Sequence, residues 1–210
     1  MEIRRNNINK KKLEIFLQNI NKPETYSIDL EQYPTDANSA SILLLYAYFD
    51  GNIYGKNVID PGTGNGILAL GSKYLGSKYL GAEKVTGIDI DKNMVNIAIN
   101  NAESNNMDIN FYNMDVSQVS GHYDTVIMNP PFGSIIKHDD IVFIDKALEI
   151  SDNIYSIHNM KSHDFIIDYY SKRGKIRREQ EISIVTPRIY KHHKKDLYEI
   201  KSFLLYVTKD

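Results

Sequence analysis

Short apolar runs rich in β-branched residues alternate along this chain with longer stretches in which apolar side chains recur every three or four positions. The first pattern reads as buried strand and the second as amphipathic helix, because strand side chains alternate between faces while helical ones return to the same face each turn. The runs predict strands over Asn57 to Asp60, Lys84 to Asp89, Ile109 to Asn113, Tyr123 to Met128, Asn153 to His158, Glu181 to Thr186 and Phe203 to Thr208. Helices are expected over Asn9 to Asn21, Thr35 to Phe49, Gly66 to about Tyr79, Lys92 to Ser104, Asp139 to Ser151 and Ser162 to Lys172. Alternation stops beyond residue 172, where two strands follow with no clear helix between them. The pattern predicts an α/β fold: a mostly parallel sheet with helices on both faces, closed by a C-terminal antiparallel hairpin.

One stretch disturbs the helical period. Gly71-Ser72-Lys73-Tyr74-Leu75 is followed at once by an identical Gly76-Ser77-Lys78-Tyr79-Leu80. Five residues rotate the apolar pattern by about 140° beyond a full turn, so the second copy cannot present the face of the first. The surplus is expected at the helix's far end, since its start is pinned by a glycine loop.

A chain of 210 residues suits one domain with a substantial core, read as a basic helical extension over 1–22 and a core over 23–210. No apolar run approaches the roughly 18 residues of a spanning helix, and no signal-peptide pattern follows the basic start, so a cytoplasmic protein without membrane contact is expected. The absence of cysteine excludes disulfides, Cys-ligated metal and thiol catalysis in this chain, and no metal site is expected. A net charge of -2 conceals an uneven distribution. Residues 13–171 carry nine basic against twenty-one acidic side chains, whereas 172–195 carry nine against two, and Arg4, Arg5 and Lys10 to Lys12 begin the chain. The late basic segment reads as a contact surface for a polyanion.

The chemistry-bearing motifs lie at strand ends. Asp60-Pro61-Gly62-Thr63-Gly64-Asn65-Gly66 joins a strand to the helix opening at Ile67, and its glycines let a ligand approach the backbone. The same loop also satisfies a dinucleotide-binding fingerprint with Asp89 at ribose distance, so alone it leaves a nicotinamide enzyme open. Asp89 closes the second strand, where a carboxylate can accept two ribose hydroxyls. Asp91 is better placed to start the next helix. Asp115 follows the third strand, in reach of an adenine amino group. Asn129-Pro130-Pro131-Phe132 follows the fourth. An exocyclic amine is a poor nucleophile because its lone pair is delocalised. If the Asn129 oxygen and the Pro130 carbonyl accept its two hydrogens, the lone pair localises and no strong base is needed. The prolines stiffen the turn, and Phe132 offers a ring on which a flipped base can stack.

With these motifs in order, the chain resembles the methyltransferase-like protein 5 group and its archaeal relatives. The resemblance runs from Leu30-Glu31-Gln32-Tyr33-Pro34-Thr35 through the glycine loop, Gly87 to Asp91 and Asp124 to Gly133, to Tyr155-Ser156-Ile157-His158 and Tyr190 to Lys195. It implies a seven-stranded class I, Rossmann-like methyltransferase that uses S-adenosylmethionine to methylate N6 of adenine in small-subunit ribosomal RNA. By the same resemblance Gln32, Thr35, Asp60, Gly62, Gly64, Asn65, Gly66, Ile67, Asp89, Asp115 and Val116 would surround the cofactor, and Asn129 to Phe132 the base. Thr35 also reads as the N-cap of the helix after it. RNA would be met by Arg188, Lys191, His192, His193, Lys194 and Lys195. Eukaryotic relatives pair with a small zinc-ribbon activator protein that completes a sheet edge, and the resemblance raises such a partner for this chain. Pro61, Asn65 and the duplicated pentapeptide depart from the family pattern. The tetrapeptide also occurs in enzymes acting on the guanine amine or a protein glutamine amide, and a non-enzymatic ribosome-assembly factor is the alternative from another class.

Overall fold

The run Thr125-Val126-Ile127-Met128 has no polar face, and all four residues are buried. A strand of this kind needs cover on both sides, which parallel sheets provide through their crossover helices. The computed structural model describes residues 9–27, 30–77, 82–132, 139–187 and 197–209. It contains β1 (Asn57–Pro61), β2 (Lys84–Asp89), β3 (Asn110–Asn113), β4 (Thr125–Met128), β5 (Asn153–Asn159), β6 (Lys175–Pro187) and β7 (Leu197–Thr208). The helices are α1 (Lys10–Gln18), α2 (Ala37–Phe49), α3 (Ile67–Ser77), α4 (Lys92–Ser104), α5 (Asp139–Ile150) and α6 (His163–Ser171).

All seven strands form one sheet in the order β3-β2-β1-β4-β5-β7-β6. β1 to β5 are mutually parallel, and β7 joins β5 and β6 antiparallel to each. Alternate strand side chains divide the core in two. Val58, Val85, Ile127 and Leu204 pack with α1, α2 and α3, while Ile59, Val126, Ile154 and Phe203 pack with α5 and α6. α2 is apolar around most of its circumference and lies between the sheet and α1, which buries Leu13 and Leu17. Gly71 in α3 permits the close approach of Leu44 and Leu17, where a Cβ would collide. Gly71, Ser72 and Leu75 of the first copy of the duplicated pentapeptide are thus core. The second begins at Gly76, and its Lys78 to Leu80 lie outside the described residues.

The expected plan matches the observed one, with two longer elements than predicted. β6 begins at Lys175 rather than Glu181, and β7 at Leu197 rather than Phe203. Charged residues hide the β6 pattern: along Lys175 to Glu181 every second side chain is exposed, as suits an edge strand that only one face buries. The hairpin's two ends lie at opposite sides of the molecule. Lys175 and Thr208 pair beside Asn153, where β5 starts, whereas the Pro187–Leu197 pair extends past Asn159, where β5 ends.

Candidate active site

The glycine loop begins where β1 delivers Asp60 into the core, 1% exposed. Its Oδ2 accepts from Thr63 Oγ1 at 2.7 Å and from the Ala69 amide at 3.1 Å. Its Oδ1 is buried with no hydrogen-bond partner among the described residues. Burial outweighs those two bonds and pushes the carboxyl up to about 7. Gly64 adopts φ +55° and donates its amide to Asp89 Oδ2 at 2.8 Å, so β2 fastens the loop that β1 starts. Gly66 closes the turn at φ +86°, where a Cβ would lie 2.5 Å from Leu70 Cδ1. Asn65 turns its carboxamide to the Asn21 carbonyl at 2.9 Å, and Asn101 donates to both Asn21 and Asn65 carbonyls. The chain after α1 is thereby laid against the loop.

Asp89 uses its other oxygen, Oδ1, to accept the Asp91 amide at 2.9 Å. Burial raises its pKa above the ordinary carboxylate value. Asp91 caps α4 through the Asn93 amide and also accepts from Gln32 Nε2 at 2.9 Å. Gln32 in turn accepts the Ser27 amide at 2.7 Å, and its side chain straps the segment before α2 across the end of β2. Asp115 caps the short 3-10 turn Val116–Gln118, and the Ser117 hydroxyl and amide hold its pKa below the ordinary value.

Past the end of β4, Asn129 Nδ2 donates to Thr35 Oγ1 at 2.9 Å. Asn129 Oδ1 is buried with no partner among the described residues. Thr35 is therefore not the N-cap expected from sequence. That role falls to Asp36, whose carboxylate accepts the Asn38 and Ser39 amides, both at 3.0 Å. Phe132, 8% exposed, stacks on Tyr33 with ring centroids 5.8 Å apart and planes at 19°.

These parts enclose one cavity of about 380 Å³, in the range of a small-molecule site. Gln32, Thr35, Gly62, Gly64, Asn65 and Ile67 line it, as do Asp89, Asp115, Val116 and the tetrapeptide from Asn129 to Phe132. Asp60 and Gly66 stand behind the wall. Tyr26, Tyr33, Thr63, Met94 and Phe143 also line it and were not expected. Tyr33 was next to a predicted residue. Phe143 comes from α5, whose packing over Gly62 leaves no local signal. Arg188, Lys191, His192, His193, Lys194 and Lys195 lie outside the described residues, although the strands flanking them both end at the cavity side of the sheet. Lys172 to Arg178 lie at the opposite side, where Arg178 pairs with Asp50 at 2.7 Å and Lys172 with Asp168 at 2.6 Å. That half of the basic segment is distant from the cavity. His158 is a core residue: its Nε2 meets Ser156 Oγ at 2.8 Å, and burial lowers its pKa to about 3.

A seven-stranded sheet of this order, with a glycine turn after β1, an aspartate ending β2, another two residues past β3, and an Asn-Pro-Pro-Phe turn after β4, defines a class I methyltransferase. Residues 39–139 match the family described as ribosomal protein L11 methyltransferase. The chain is 41% identical to an uncharacterised protein of Methanocaldococcus jannaschii over 96% of its own length and 95% of the relative's. It is 34% identical to the rRNA N(6)-adenosine-methyltransferase METTL5 of Danio rerio, covering 91% of this chain and 94% of that protein. A crystal structure of a proposed RNA methyltransferase from Pyrococcus horikoshii superimposes with a TM-score of 0.88 at 35% identity, covering 97% and 98% of the two chains. The chain belongs to the METTL5 family of methyltransferases. Among the described residues, no helix is long and apolar enough to cross a membrane.

Proposed function

We propose that this chain transfers a methyl group from S-adenosylmethionine to N6 of an adenine in small-subunit ribosomal RNA. The observation that carries the reading is the Asn129 carboxamide, whose oxygen is buried and unpartnered among the described residues while its nitrogen is held by Thr35. A buried acceptor without a donor costs on the order of 1–3 kcal/mol, and an amine hydrogen would satisfy it. The residues also fit the cofactor. Asp60 Oδ1 is a second unpartnered acceptor, a buried carboxylate oxygen behind the glycine loop that would meet the cofactor's cationic amino end, and Asp89 retains lone pairs for two ribose hydroxyls. Asp115 and Val116 would border the adenine ring.

S-adenosylmethionine, when bound, supplies a methyl group activated by its sulfonium. The chain's own part is to localise the acceptor's lone pair through Asn129 and the Pro130 carbonyl and to hold the base against Phe132. The curated METTL5 relatives support adenine as acceptor, and the lysines of 188–196 would meet phosphates. A cytoplasmic location goes with that substrate. A small zinc-ribbon activator belongs to the same reading: β3, four residues long, leaves Tyr112 exposed at one sheet edge, and a rise in Tm on coexpression with such a partner tests it.

The test is transfer of labelled methyl from S-adenosylmethionine to ribosomal RNA, followed by nucleoside analysis and mapping. N6-methyladenosine is the expected labelled nucleoside. Label in N2-methylguanosine, or in protein alone, would replace this reading with one of its alternatives. The protein alternative is favoured by the match of 39–139 to ribosomal protein L11 methyltransferases, but that match ends before the β6–β7 hairpin.

A further inference from the structure

We infer that Thr35 is a positioning residue for the proposed methyl transfer, supplying the acceptor for Asn129 Nδ2 that leaves the carboxamide oxygen free for the acceptor amine. This inference rests on the function proposed above. A carboxamide's terminal torsion is broad and roughly two-fold, and its oxygen and nitrogen ends differ little in size. An unassisted Asn129 could present either end to the cavity. Its oxygen would accept from an amine, whereas its nitrogen would meet the amine's hydrogens donor against donor.

A hydroxyl can donate or accept, and in this structure that of Thr35 takes the nitrogen end. Asn129 Nδ2 donates to Thr35 Oγ1 at 2.9 Å, and the oxygen is left buried and unpartnered among the described residues. The neighbouring Pro130 and Pro131 have no amide hydrogen to hold the oxygen end. The residue next to Thr35 is anchored from two directions. The adjacent Asp36 caps α2 through the Asn38 and Ser39 amides, and its Oδ2 accepts the Val185 amide of β6 at 3.2 Å. The backbone that carries the Thr35 hydroxyl thus adjoins a residue tied to α2 and to β6, elements outside the tetrapeptide's own turn. This assigns Thr35 a task separate from touching the cofactor, and the two make different predictions.

The experiment compares Thr35→Val, which keeps the shape and removes the hydroxyl, with Thr35→Ser, which keeps the hydroxyl. The valine variant should lose about tenfold or more in kcat, while the Kd for S-adenosylmethionine and the KM for RNA stay within about threefold. The serine variant should stay within about threefold of wild type in all three. A valine variant with normal kcat and weakened cofactor binding would overturn the inference, as would equal losses in valine and serine variants. Side-chain amide spectra of the wild type give an arm that does not depend on activity. Slow hydrogen exchange at Asn129 Nδ2, lost in Thr35→Val, supports the inference, and exchange as fast as in an exposed asparagine overturns it. If Thr35→Val does not fold, slow exchange retained in Thr35→Ser supports it and fast exchange in the wild type overturns it. A wild-type enzyme that methylates no RNA would defeat the proposed function, while the spectra would still decide what Thr35 does.

Discussion

Asn129 and Asp60 each bury one oxygen that finds no donor among the described residues, and these two atoms generate different expectations. Asn129→Ala should reduce kcat by about a hundredfold or more and leave cofactor affinity within about threefold, measured by turnover and calorimetry. Asp60 acts on stability. Its folded carboxyl sits near 7 against 3.8 for the ordinary group, so the folded state holds a proton that the unfolded state releases as pH rises between those values. The cofactor-free protein should therefore lose stability from pH 4 to about pH 7 and level off above, the reverse of a salt-bridged carboxylate. Asp60→Asn should flatten that fall in Tm. The tetrapeptide could be read from sequence because four consecutive residues carry the whole acceptor chemistry. The Thr35–Asn129 bond could not, because it joins residues 94 positions apart and replaces the local capping role that Thr35's place before a helix suggests.

Among elements, the glycine turn between β1 and α3 combines two separable demands. Gly64 needs a positive φ but has open space where a Cβ would stand, whereas Gly66 needs both a positive φ and room beside Leu70. Gly64→Ala should cost about 1–2 kcal/mol in urea unfolding, and Gly66→Ala clearly more. Equal costs would mean that the Leu70 contact relaxes freely. This turn was legible from glycine spacing after a strand. The extent of β6 was not, because an edge strand advertises only one apolar face and a register shift falls between Ile176 and Arg178. Arg178 crosses from β6 to Asp50 at the end of α2, and Asp50 also accepts from the Tyr155 hydroxyl at 2.9 Å. Such partners are set by packing and leave no trace in the local pattern.

At the scale of the molecule, Lys172 to Arg178 lie at the end of the β6–β7 hairpin away from the cavity, whereas the Pro187–Leu197 pair that brackets the remaining basic residues in sequence lies at the cavity end. Replacing Lys191, Lys194 and Lys195 by Ala should weaken RNA binding and reduce the slope of log affinity against log salt by about two to three. Replacing Lys175 and Arg177 should leave that slope unchanged. Binding isotherms across a salt series check both. Charge counting along the chain could find the segment but not this division, which depends on a hairpin whose arms run the full depth of the sheet.

The order β5-β7-β6 has a consequence for how the chain is made. β6 is synthesised before β7 yet can be seated only on β7, because β7 lies between it and β5. Until residues 197–208 leave the ribosome, β5 presents a bare edge and β6 has no neighbour to pair with. A nascent or truncated chain in that condition offers two open templates for intermolecular strand pairing, so premature termination just before β7 yields an aggregation-prone product rather than a smaller enzyme.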